Sequence, residues 1–130
     1  MSDMSARPTI YAKAGCPFSL KVRLFLLEAG LIDCVDLQIV LGGTLEELQA
    51  KESLGAYIEK VTFPTARWPD AVISDSDAII ERLSAEHGVH AENLATFEAY
   101  VTGPLPQILA LYRENAELKK SCESSGQTNG

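Results

Sequence analysis

The run Pro8-Thr9-Ile10-Tyr11-Ala12 reads as a short strand, and Lys13-Ala14-Gly15 turns it. Pro17 follows almost at once and opens an apolar helix. Proline suits the first helical position, where its missing N–H would be unpaired anyway. The helix runs to Glu28 or Ala29, with Gly30 as its stop. This strand–turn–helix unit at the start of the chain points to an α/β fold. It also sets Cys16 at a helix N-terminus, where free N–H groups and the macrodipole favour an anion.

An ordinary thiol is only a few per cent ionised at neutral pH, and the thiolate is the nucleophile. A helix terminus contributes roughly 0.3–1 kcal/mol to an anion, and up to about 2 when partly buried. Further stabilisation must come from N–H bonds to sulfur and from a cation. Lys13 is the nearest candidate, and Lys21 and Arg23 stand further along the helix. The alternative is a small buried hydrophobe at a helix start. The flanking Lys13 and Pro17 favour reactivity. Ser19 occupies the place where a Cys-x-x-Cys site carries its resolving thiol. Cys34, expected on the second strand, has nothing in the sequence to bring it to Cys16. Turnover at Cys16 therefore needs an external thiol, and glutathione is the abundant cytosolic one.

Further along, Asp33 to Val40 reads as a second strand with Val35, Leu37 and Ile39 on one face. Gly42-Gly43 breaks it. Thr44 and Glu47 have capping-box spacing and open a helix to about Tyr57. Val61 to Arg67 is a third extended segment, Trp68-Pro69-Asp70 a turn, and Ala71-Val72-Ile73 a fourth strand. Ser74 to Asp77 caps a helix that stops at Gly88. The order is βαβα followed by ββα. Ala91 to Val101 and Leu105 to Lys119 look helical, interrupted by Gly103-Pro104-Leu105-Pro106. The Ser- and Gly-rich stretch 121–130 reads as a disordered tail. Trp68 is expected to pack. His87 and His90 flank a helix end with no clustered partners, so no metal site is read there.

The 130 residues suffice for a modest core, and 46% of them are hydrophobic. A net charge of −7 gives nucleic-acid binding no electrostatic support. No apolar run approaches a membrane span, and Met1 to Arg7 lacks the features of a secretory signal. Three irregularly spaced cysteines suggest neither a disulfide framework nor a zinc site. The chain reads as cytoplasmic.

Three segments carry a resemblance. Tyr11-Ala12-Lys13-Ala14-Gly15-Cys16-Pro17-Phe18-Ser19 resembles the glutaredoxin active-site segment. Cys16 to Arg23 also resembles omega-class glutathione transferases and two-domain bacterial glutaredoxins. Thr62-Phe63-Pro64 resembles the Thr-x-Pro element whose proline is cis. Asp75-Ser76-Asp77-Ala78-Ile79-Ile80 resembles the acidic-Ser-x-x-Ile segment of glutathione transferases. The match covers residues 7 to about 88. It implies a thioredoxin-like βαβαββα domain over 7–88, a helical extension over 89–120 and the tail over 121–130.

The resemblance also implies roles. Cys16 would form a mixed disulfide with glutathione, the cosubstrate. Lys13 would attract a glutathione carboxylate, and Pro17 and Phe18 would line the same site. Phe63, before cis-Pro64, would pair its backbone with the cysteinyl unit. Asp75 and Ser76 would hold the γ-glutamyl end. Each has a plainer reading: a solvated turn lysine, an edge strand, a helix cap. Capping and ligand binding are compatible.

Two functions follow. One is a glutathione-dependent thiol transferase or oxidoreductase with a single active-site cysteine. It would act on glutathionylated proteins or on small oxidants. The other is a truncated transferase-like module that binds glutathione or a protein partner without turnover. A cluster-binding site is a weaker third option, because monothiol glutaredoxins of that kind usually carry Gly where this chain has Pro17. The residues after Gly88 are too few for a full transferase helical domain. Their apolar faces suit either the sheet or a homodimer through residues 91–119.

Overall fold

A computed structural model describes residues 7–128, with side chains as far as Cys122. The chain divides into two compact units, Met1–Glu98 and Ala99–Gly130. In the first, the order is β1 (Thr9–Lys13), α1 (Pro17–Glu28), β2 (Asp36–Val40), α2 (Leu45–Leu54), β3 (Thr65–Arg67), β4 (Val72–Ile73) and α3 (Ser76–His87). The strands form one sheet in the order β2-β1-β3-β4. β1 and β2 are parallel, joined by the α1 crossover, whereas β1–β3 and β3–β4 are antiparallel. This is the thioredoxin-like arrangement that the resemblance implied.

Local chemistry explains the boundaries. Pro17 starts α1. Thr44 caps α2 by accepting from Glu47 N–H at 3.3 Å. Asp75 caps α3 by accepting from Asp77 N–H at 3.1 Å. Gly88 ends α3 at φ +66°, a left-handed conformation that glycine adopts without a Cβ penalty. The core lies between sheet and helices. Ile10, Ala12 and Ala66 from the strands meet Val22, Phe25, Leu26, Ile79 and Leu83 from α1 and α3, all fully buried. Ser19, Val22 and Leu26 form one helical stripe, as a helix on a sheet requires.

Four expectations change. Cys34 sits in a single 3-10 turn, Ile32–Cys34, not on a strand. Its N–H bonds Leu31 O, and pairing begins only where Asp36 N–H bonds Pro8 O. Ile39 is exposed while Val40 is buried, because β2 is the edge strand and the face bearing Leu37 and Ile39 is only partly covered. α2 ends at Leu54, with Tyr57 in the turn beyond it. Of the segment 61–67 only Thr65–Arg67 pairs as a strand, after a cis Phe63–Pro64 peptide.

Beyond α3, a 3-10 turn (Ala91–Asn93) leads into α4 (Ala95–Thr102) and α5 (Pro104–Thr128). Residues 89–98 begin the helical extension that the resemblance implies over 89–120. Their end is tied to α1: Glu28 accepts from Thr96 N–H at 2.9 Å and Phe97 N–H at 2.7 Å. Phe97 also meets Phe25 edge-on at 5.8 Å. α5 takes in positions 121–128, which composition assigns to a tail; neither Pro nor Gly interrupts the chain between Pro106 and Gly126. Positions 129 and 130 lie outside the described residues. Among the described residues no helix is long and apolar enough to cross a membrane.

Candidate active site

Strand register gathers the candidate residues at one end of the sheet. Lys13 ends β1 opposite Val40, so the loop to α2 leaves from the same end. Tyr11 pairs antiparallel with Thr65, which brings the segment before β3, Phe63-Pro64, alongside the end of β1. Ala66 pairs with Ile73, so β4 also exits there into Asp75 and α3. Cys16, Phe63-Pro64, Asp75-Ser76 and the start of α2 therefore share one rim.

Cys16 is the N-cap of α1 in extended conformation. Its half-buried Sγ donates to the carbonyl oxygen of Phe63 at 3.6 Å. The expectation that helix N–H groups bond the sulfur is not met: Cys16 makes no side-chain cap bond. Pro17 removes one such donor, and the sulfur turns across the site toward the backbone before cis-Pro64. That bond requires a proton on sulfur. Phe18 is exposed, and Phe63 is partly so.

Ser19 does more than replace a second cysteine. It is fully buried, and its Oγ accepts from Lys13 N–H at 2.9 Å. It thereby ties the end of β1 to the first turn of α1, across the turn that presents Cys16.

Lys13 does not stand free. Its Nζ lies 2.8 Å from Glu47 Oε2. The side chain runs against Gly42, where a Cβ would stand 3.1 Å from Lys13 Cε. The Glu47 carboxylate holds the Lys13 ammonium above its ordinary range, first by hydrogen bonding and then by charge; the negative form of Cys16 contributes least. Reciprocally, Lys13 and then the Gly43 N–H hold the Glu47 carboxyl below its ordinary range.

Lys21 is engaged too. It is buried in α1 and pairs with the exposed Asp77 at the start of α3. This pair draws the first turns of the two helices together, with the Asp75 cap and the buried Ser76 beside it. Sequence reasoning found Glu47 only as a cap and missed the Lys21–Asp77 pair. Capping-box spacing was the one signal at Glu47, and nothing in it points to Lys13.

Trp68 lies beyond the far end of β3 and is buried, as a packing residue should be. Its Nε1 donates to Glu86 at 3.2 Å, and the Arg82 guanidinium stacks 4.3 Å over its ring. Arg82 in turn pairs with Asp70 at 2.7 Å. Cys34 is half-buried and Cys122 exposed.

The family model described as the glutathione S-transferase N-terminal domain matches residues 15–86, more than half of the chain. No curated protein matches. Among solved structures, a glutathione S-transferase from the Antarctic clam Laternula elliptica aligns with a TM-score of 0.51 and 25% identity, over 63% of this chain and 36% of that one. A glutathione transferase homolog from Sulfitobacter, crystallised with bound glutathione, aligns with a TM-score of 0.45 and 22% identity, over 62% and 36%. The chain thus spans little more than a third of the length of either. Together with the thioredoxin-like sheet, the Cys16 helix start and the cis-Pro64 segment, the matched residues 15–86 show that this chain belongs to the glutathione S-transferase N-terminal domain family.

Proposed function

We propose that the chain is a glutathione-dependent thiol–disulfide oxidoreductase with Cys16 as its single nucleophile. The observation that carries this reading is the 3.6 Å approach of Cys16 Sγ to the Phe63 carbonyl before cis-Pro64. A nucleophile beside the backbone carbonyl that precedes cis-Pro64 suits a peptide whose own sulfur is the target. Ionisation of Cys16 gives up the bond to Phe63 and frees that carbonyl for a peptide N–H. The exposed Asp75 carboxylate and the N-terminus of α3 suit an ammonium and a carboxylate at the other end of such a ligand.

In the reaction, the Cys16 thiolate attacks the glutathionyl sulfur of a mixed disulfide. A bond forms between Cys16 Sγ and that sulfur, and the original S–S bond breaks. The released thiolate takes up the proton that Cys16 gave up. Attack by a second glutathione thiolate on the same sulfur restores Cys16 and yields oxidised glutathione. Ser19 cannot perform this second step, so the external thiol is obligatory. Dehydroascorbate-like oxidants are a variant substrate class, by resemblance to the omega class.

One observation favours a second reading, a module that binds glutathione without turnover: Cys16 Sγ donates to the Phe63 carbonyl, and no helix N–H caps it. Glutathione-coupled reduction of hydroxyethyl disulfide separates the two. The wild type should turn over, and Cys16→Ser should fall at least about 100-fold, as loss of a covalent nucleophile demands. An inactive wild type overturns the enzyme. Undiminished Cys16→Ser overturns the nucleophile.

A further inference from the structure

The Lys13–Glu47 pair bears on what the site accepts. Glu47 is held from three directions. It stands at the third position of α2, its Oε1 accepts from Gly43 N–H at 3.1 Å, and its Oε2 faces Lys13 at 2.8 Å. Its side chain is only 12% exposed, against 37% for Lys13. The lysine stem lies along Gly42, where a Cβ would stand 3.1 Å from Lys13 Cε. Lys13 lies within electrostatic reach of Cys16, and its ammonium is paired with the Glu47 carboxylate at 2.8 Å. Lys21, the next lysine, is likewise committed to Asp77. The chain as a whole is acidic, at −7.

We propose that Glu47 sets the charge preference of the Cys16 site. By occupying Lys13, it makes the site accept disulfides that are neutral where glutathione carries its glycyl carboxylate, namely amides and esters, about as well as the free acid. The inference rests on the glutathione-dependent reading above. Its chemistry at Cys16 is the same thiol–disulfide exchange: the Cys16–sulfur bond forms, the probe S–S bond breaks, and the leaving thiolate takes the proton.

The test is the rate of Cys16 modification, followed by intact mass and peptide mapping. Two probes are compared: glutathione disulfide and the disulfide of glutathione glycyl ethyl ester. The wild type should react with both at rates within about twofold, since a paired lysine adds little. Glu47→Gln keeps an acceptor for Gly43 N–H but releases Lys13, and should favour the free acid by about three- to fivefold. The ratio of probes cancels any common change in folding or thiol reactivity. Lys13→Ala and Lys13→Ala/Glu47→Gln should show no such gain, which closes a double-mutant cycle. A wild type that already prefers the free acid as strongly as Glu47→Gln overturns the proposal, as does a gain that survives Lys13→Ala. If neither glutathione probe modifies Cys16, the glutathione reading fails. The preference of Cys16 for anionic 5,5′-dithiobis(2-nitrobenzoate) over neutral 2,2′-dithiodipyridine then decides the role of Glu47 by the same criterion. Cys16 inert to all four reagents overturns both.

Discussion

The two ends of α1 hold their neighbours by opposite means. At the N-terminal end a thiol makes one long bond, from Cys16 Sγ to the Phe63 carbonyl. At the C-terminal end a carboxylate accepts two short ones, from the N–H groups of Thr96 and Phe97. A glutamate at a helix C-terminus opposes its own helix dipole. Glu28 is stabilised because it is also the anion at the N-terminus of α4. Charge-assisted bonds are roughly twice as strong as neutral ones. The contrast separates roles. The strong end fixes chain to chain, while the weak end holds a contact that can be broken when sulfur loses its proton.

The largest test of this division is Phe97→Ala, which empties the ring packed on Phe25. Removing a buried phenylalanine costs about 3–5 kcal/mol. Chemical denaturation should register that loss, while the folded fraction labels at Cys16 at the wild-type rate. Slower labelling of folded protein would show that the two ends are coupled. Ser19→Ala comes next. It leaves the Lys13 N–H without its acceptor, at a cost of about 1–3 kcal/mol. Unlike Phe97→Ala, it should also change Cys16 labelling, because Ser19 braces the turn that presents the thiol. Unaltered labelling would make Ser19 purely structural.

Glu28→Gln is the smallest change and carries a pH signature. The N–H groups of Thr96 and Phe97 hold the Glu28 carboxyl below its ordinary value of 4.5. A lowered folded-state value means that the stabilisation is complete above 4.5 and is lost as pH falls through the folded value. Glu28→Gln should therefore lower Tm by a few degrees near neutrality. The gap between variant and wild type should close as the pH drops below about 4.5. A gap independent of pH would show that the charge of Glu28 is irrelevant to its hold on α4.

Much of this was legible because its causes are local. Pro17, Thr44, Asp75 and Gly88 mark helix ends through their own backbone preferences, and each stands where those preferences put it. The cis peptide at Phe63–Pro64 was implied by the resemblance of Thr62-Phe63-Pro64 to a family element. Cys34 and Ile39 were misread for the opposite reason. Alternation along 33–40 says which residues could share a face, but not where pairing with β1 begins or that β2 is an edge.

By itself, then, the sequence determined the order of elements, their caps and the seating of a single cysteine at a helix start. These depend on residues within a turn or two of one another. Only the tertiary structure decided where the charges went. Lys13 found Glu47, Lys21 found Asp77, and Glu28 found Thr96 and Phe97. A long charged side chain takes whichever partner the fold brings within reach. That choice is made by sheet register and helix packing across 34 to 69 residues of chain, which no local pattern records.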